Sequence, residues 1–68
     1  MELILTTDDW SELLADHSFN TATQDLLEVN VYPEDFTSST LSVIAQGGIA
    51  EVEIDGYTMQ VSREMVSV

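Results

Sequence analysis

The sequence predicts an α+β fold: a small antiparallel sheet with one N-terminal helix packed on its apolar face. Three observations carry this. Asp55-Gly56 is the preferred centre of a two-residue hairpin turn, and the residues on either side of it mirror one another. Pairing across it sets Ile54 opposite Tyr57, Val52 opposite Met59 and Ala50 opposite Val61 on one face, with Glu51, Glu53, Thr58 and Gln60 on the other. Second, Trp10, Leu13, Leu14 and His17 stand at i, i+3, i+4 and i+7, the apolar stripe of a helix. Third, the chain has 68 residues and is 44% hydrophobic. That supports a single domain with a marginal core, since a chain this small buries only about 60% of its unfolded surface.

The elements follow in order. Residues 2–6, ELILT, read as a short strand. TTDDWSELLADHSF reads as the helix, with Thr7 as its cap and Asp8 and Asp9 in the first turn, where the helix dipole favours negative charge. Asp9, Glu12 and Asp16 lie away from the apolar stripe at spacings of three and four, forming one acidic ridge. Residues 18–24, SFNTATQ, are loop-like, although Thr21 with Gln24 has the form of a capping box and leaves a second short helix open. In 24–32 the alternation of Leu27, Val29 and Val31 favours a strand, the fourth of the sheet. Pro33 ends it, and PEDFTSST reads as a loop or a single turn.

Gly47-Gly48, read as a second turn, pairs Ala45 with Ala50, Val43 with Val52 and Leu41 with Ile54. The apolar face then continues without a slip, giving a three-stranded meander over 40–46, 49–55 and 57–62. A competing reading makes 39–46 a helix, with Leu41, Ile44 and Ala45 on one side and Gly47 as its C-cap.

Charge sets this chain apart. Thirteen acidic residues face one basic residue, Arg63, so the net charge is 1 − 13 = −12. The hydrophobic content is too high for a disordered acidic tract, so a folded domain carries this self-repulsion. Nucleic acid and anionic membranes repel such a chain, and neither is expected as a direct partner. A basic protein surface is its natural complement. Halophilic adaptation and plain solubility are the other sources of acid excess. The absence of cysteine excludes disulfides and thiolate metal sites. Small secreted domains are usually disulfide-stapled, so an intracellular protein is expected. MELILTTDDW lacks the basic start and apolar run of a signal peptide, and no stretch reaches the roughly 20 apolar residues of a membrane span.

The stretch EVEIDGYTMQV, residues 51–61, bears on function most directly. As a calcium loop it places Gly56 correctly at the sixth position, but the twelfth is Ser62 where a bidentate Glu is needed, and its flanks read as strand. The hairpin explains both the glycine and the alternation. Its polar face then carries Glu51, Glu53 and Asp55 with no lysine to answer them. Same-face residues on a strand stand about 6.6 Å apart. Neighbouring DNA phosphates, spaced about 3.4 Å along the axis of each strand, have a through-space separation of the same order. A run of this kind is also what a solvated strand face looks like.

Other chemistry is sparse. His17 is the only histidine and ends an apolar stripe, so it reads as a partly buried or capping residue. No triad and no glycine-rich phosphate loop can be assembled, so neither catalysis nor a cofactor is expected. Trp10 reads as a core anchor. Tyr32, Phe36 and Ile44 are candidates for an exposed apolar contact ringed by acids. The candidate partner-binding residues are Glu51, Glu53 and Asp55, then Asp9, Glu12 and Asp16 as a second row, with Glu28, Glu34 and Asp35 extending it.

In length, charge and lack of cysteine the chain resembles the small acidic phage-encoded DNA mimics and anti-CRISPR-type inhibitors. The resemblance is one of overall character and rests on no motif. It implies a monomer or weak dimer in the cytoplasm of a bacterial host, without catalysis. Its target would be the basic channel of a nucleic-acid-binding defence complex such as CRISPR-Cas, where its acids would replace phosphates. The alternative is an antitoxin-like or regulatory module that binds through Tyr32, Phe36 and Ile44 and uses its acids only for solubility.

Overall fold

Two threonines decide where the helices begin. Thr6 precedes α1 (Thr7–Leu14), and its Oγ1 accepts the Asp9 N–H at 3.1 Å while the Asp9 carboxylate accepts the Thr6 N–H at 3.2 Å. This reciprocal capping box satisfies two N–H groups that the first turn leaves without partners. The cap is therefore Thr6, one residue earlier than the expected Thr7. Thr37 does the same for α2 (Ser38–Ala45), exchanging bonds with Thr40 at 3.1 and 2.9 Å.

A computed structural model, which describes residues 1–65, gives two helices and five strands in two sheets. The strands are β1 (Glu2–Leu5), β2 (Phe19–Ala22), β3 (Glu28–Val31), β4 (Ala50–Ile54) and β5 (Tyr57–Arg63), and a 3-10 turn spans Pro33–Asp35. The larger sheet has the order β1-β5-β4, and β2 pairs with β3 in a separate antiparallel hairpin. The β4–β5 pairing matches the sequence expectation residue for residue: Ala50 with Val61, Val52 with Met59, Ile54 with Tyr57. Asp55 and Gly56 take positive φ of 53° and 83°, the conformation a hairpin with right-handed strand twist requires.

The meander is corrected. Residues 40–46 form no strand; 40–45 belong to α2 and Gln46 caps its C-terminal end, as the competing helical reading has it. The helix wins because both its ends are satisfied. Besides the threonine cap, Gly47 sits at φ 86°, its N–H donates to the Ile44 carbonyl at 3.0 Å, and the Gly48 N–H donates to the Val43 carbonyl at 2.9 Å. That is a Schellman ending, which glycine permits without strain. A side chain at Gly48 would put its Cβ 2.9 Å from Val43 Cγ1. The third strand of the sheet is instead β1, which pairs parallel to β5 with Leu3 beside Val61 and Leu5 beside Arg63.

The expected single helix thus becomes two, and the one that packs on β4 and β5 is α2; α1 lies against β1 and β2. Residues 19–22, expected as loop or the start of a helix, are strand β2; the strand expected within 24–32 narrows to β3 and, instead of joining the larger sheet as a fourth strand, pairs with β2 in a sheet of its own. Thr21 and Gln24 form no capping box, because Thr21 is committed to the hairpin ladder opposite Val29.

Leu3, Leu5, Ala50, Val52, Ile54, Met59 and Val61 line the covered face of the larger sheet. Val29 and Val31 from the hairpin, Leu13, Phe36 and Ile44 close over them, with Trp10 packed at the edge. Burial of each large aliphatic side chain here contributes about 1.5–3 kcal/mol. Phe36 at 8% exposure and Ile44 at 0% are core residues, which corrects their assignment to an exposed contact. Ile44 faces inward because α2 is a helix there, and Phe36 because the 3-10 turn brings the chain back across β4. Tyr32 is exposed, as expected. Leu14 and His17 leave the predicted helical stripe: α1 ends at Leu14, which is exposed, and His17 lies beyond the end.

Candidate protein-binding surface

β-strand alternation leaves one face of the β1-β5-β4 sheet uncovered. Glu2 and Ile4 from β1, Thr58, Gln60 and Ser62 from β5, and Glu51 and Glu53 from β4 occupy it. The register arranges them in rows across the strands. Glu2, Gln60 and Glu51 form one row, and Thr58 with Glu53 another. Adjacent strands lie about 4.8 Å apart, so Glu2 and Glu51 stand roughly 10 Å from one another on either side of Gln60, and Glu51 stands about 6.6 Å from Glu53. The Gln60 amide donates to the Glu51 carboxylate at 3.3 Å, which steers that carboxylate across the sheet. Glu2 joins the site only through the parallel β1–β5 pairing. Sequence pattern alone does not single it out, and the alternation of ELIL is the one local sign that it faces away from Leu3 and Leu5.

The predicted acidic residues divide. Glu51 and Glu53 share the open face, but Asp55 does not complete their row. It sits in the turn, and its carboxylate accepts the Asn30 N–H at 3.3 Å, joining the hairpin turn to β3. Asp9 is half-buried and accepts bonds from the Thr6 N–H and from Thr21 Oγ1, the latter at 3.1 Å, so it fastens α1 to β2. Asp16 has φ 63° and lies past the end of α1. The Asp16 N–H donates to the Leu13 carbonyl at 3.1 Å and the His17 N–H to the Glu12 carbonyl at 2.9 Å, so Asp16 holds the left-handed position of a second Schellman ending. The ridge of Asp9, Glu12 and Asp16 is therefore not a ridge on one helix face. Glu12 pairs with His17 Nδ1 at 3.2 Å, and both side chains are at least half exposed. Glu28 is exposed on β3, and Glu34 and Asp35 lie exposed on the 3-10 turn. Asp35 has its carboxyl pushed above the ordinary value by partial desolvation and, secondarily, by the adjacent Glu34 charge.

Arg63 shapes the electrostatics of this surface by being withdrawn from it. The strand alternation that exposes Ser62 turns Arg63 toward the covered side. There its Nε donates to the Ile44 carbonyl at 3.2 Å and an Nη to the Ala45 carbonyl at 2.8 Å. Its guanidinium also lies 5.9 Å from the Trp10 ring centroid, within cation–π range. The one basic side chain of the protein thus caps the negative end of α2 and bridges it to α1, leaving the carboxylates of the open face without a basic side chain to pair with.

Among the described residues there is no cavity, and no group of three or more His, Asp and Glu side chains is arranged to hold a metal ion. Also among them, no helix is long and apolar enough to cross a membrane. No protein-family model, curated protein or solved structure matches the chain.

Proposed function

We propose that this protein is an inhibitor that binds a basic, nucleic-acid-binding protein surface through the open face of its β1-β5-β4 sheet and excludes nucleic acid from it. A bacterial defence complex of the CRISPR-Cas kind has a channel of the required chemistry. The observation that carries the reading is the withdrawal of Arg63 to the covered side of the sheet. With the single basic side chain held against the carbonyls of Ile44 and Ala45, Glu2, Glu51 and Glu53 present negative charge from strand positions that the ladder fixes. A net charge of −12 on 68 residues accelerates encounter with a positive channel, and steered association of this type reaches about 10⁸–10⁹ M⁻¹s⁻¹ at low salt. The same attraction is screened over about 10 Å at 0.1 M salt and about 3 Å at 1 M.

The test is capture from a bacterial lysate at low salt, with elution by salt or by competing duplex DNA, comparing the native chain with the E51K/E53K double variant. Both positions are exposed on the sheet, so circular dichroism should show an intact fold. A nucleic-acid-handling complex that DNA displaces, and that the double variant no longer captures, supports the reading. Capture that survives the double reversal overturns it.

A further inference from the structure

The open sheet face is not uniformly polar. Next to the row of Glu2, Gln60 and Glu51 lies a row with Ile4 beside Ser62. Continuing the β4 register back by one residue, from Ala50 opposite Val61, brings Ile49 to the other side of Ser62. Ile4 is 41% exposed and Ile49 63%. Single exposed apolar residues are ordinary, but these two flank one small residue in the same row. Ile4 and Ile49 therefore set a short apolar line across the sheet, with the carboxylates of Glu2 and Glu51 along one border.

We infer that this line is the seat of a basic amphipathic helix of the protein partner, laid across the uncovered sheet face. The inference rests on the reading of a basic partner above and adds the partner's shape. A helix with an apolar stripe at i, i+3, i+4 and i+7 and Lys or Arg beside it presents the complementary pattern. Its stripe covers Ile4 and Ile49, and its basic flank meets Glu2, Glu51 and Glu53. α2 already covers the opposite face, so such a helix completes a three-layer arrangement. A second copy of this chain is a poor occupant, because −12 would face −12.

The probe is a synthetic Leu/Lys peptide of about 18 residues, roughly five turns, with its leucines at helical spacing. A control peptide has the same composition with that spacing scrambled. Both are titrated into the isotopically labelled full chain at about 0.1 M salt, with amide shifts and calorimetry as readouts. The expected shifts centre on Ile4, Ser62, Ile49, Gln60 and Glu51, and the amphipathic peptide gains helix on binding. The I4T/I49T variant keeps β-branched residues at both positions, so its fold is retained. It should bind the amphipathic peptide about tenfold more weakly, as loss of two apolar contacts predicts, and bind the scrambled peptide as the native chain does. If E51K/E53K weakens both peptides while neither scrambling nor I4T/I49T changes affinity, the helix seat is wrong and the charge reading stands. If E51K/E53K changes nothing, the charge reading fails and takes this inference with it. Shifts spread evenly over the acids of α1 and the 3-10 turn also overturn the seat.

Discussion

Arg63→Met tests the Arg63 clamp directly. The substitution keeps an unbranched apolar stem near Trp10 and removes the guanidinium. Two hydrogen bonds from a charged donor are lost, to the carbonyls of Ile44 and Ala45. Such bonds contribute about 1.5–3 kcal/mol each when buried. Here the first is only part-buried and the second exposed, so both need discounting for solvent. The Trp10 contact at 5.9 Å adds at most about 0.5–1 kcal/mol, and the charge at the α2 C-terminus about 0.3–1 kcal/mol. These terms share one charge and do not add fully, so the expected loss is about 2–3 kcal/mol. A domain of 68 residues at roughly 0.05–0.15 kcal/mol per residue has about 3–10 kcal/mol in total. At about 4–8 °C per kcal/mol, Tm should fall by roughly 10–20 °C. Thermal and urea unfolding followed by circular dichroism and Trp10 fluorescence measure it. Net charge also moves from −12 to −12 − 1 = −13, and added repulsion is the rival cause. Salt at about 1 M, with a screening length near 3 Å, removes the rival but leaves most of a close-range clamp. A loss that vanishes at high salt, or a Tm within about 3 °C of native, refutes the clamp.

Three other outcomes follow from local geometry. Asp16 combines φ 63° with a negative charge at the C-terminal end of α1. Asp16→Asn keeps a residue that tolerates this conformation and removes the charge, so urea unfolding should show a gain of about 0.3–1 kcal/mol. Leu26 holds φ 65° while 83% exposed in the β2–β3 turn, and Leu26→Gly should raise stability by about 0.5–1 kcal/mol in the same assay. Asp35 has a folded-state pKa above its ordinary 3.8, so the folded chain holds that proton more tightly than the unfolded one. Its contribution to stability is therefore largest at low pH and is lost as pH rises from 3.8 through the folded value. Urea midpoints across that window should decline less steeply with rising pH in Asp35→Asn than in the native chain.

How much of this was legible depends on the range over which each signal acts. The β4–β5 hairpin was readable in full, because Asp55-Gly56 and the alternation on both sides of it are local and agree. Gly47-Gly48 was ambiguous because glycine pairs serve both hairpin turns and helix ends. Leu41, Val43 and Ala45 satisfy period two, whereas Leu41, Ile44 and Ala45 satisfy the helical period. The deciding residues, Thr37 and Thr40, lie upstream in what reads as loop, and a Thr-Thr pair is a weaker capping signal than Thr with Glu. The β1–β5 pairing had no local trace, since a parallel ladder joining the two ends of the chain has no turn to announce it. Leu14 and His17 were misplaced for a single reason: the helical spacing continues through a segment that Asp16 terminates. Aspartate is several-fold enriched at positive φ, so a sign of the stop was present, but the missing glycine hid it.

The acidic residues carry the same lesson into function. Counted in the sequence they are equivalent, and spacing alone groups Asp9 with Glu12 and Asp16, and Asp55 with Glu51 and Glu53. In the fold they are not interchangeable. Asp9 caps α1 and grips Thr21, Asp16 ends α1, and Asp55 holds Asn30. Asp9 and Asp55 each reach a backbone or hydroxyl partner with a short side chain, whereas Asp16 acts through its left-handed backbone. The glutamates at 2, 51 and 53 are longer, stand on strands and face outward, and among the described residues their only side-chain hydrogen bond is the one the Gln60 amide donates to Glu51. Chain position thus sorts Asp9, Asp16 and Asp55 toward local structure and these glutamates toward the open face. Substitutions at Asp9, Asp16 and Asp55 should accordingly register mainly in stability. Reversal at Glu51 and Glu53 should register in binding, because no contact that holds the fold together passes through their carboxylates.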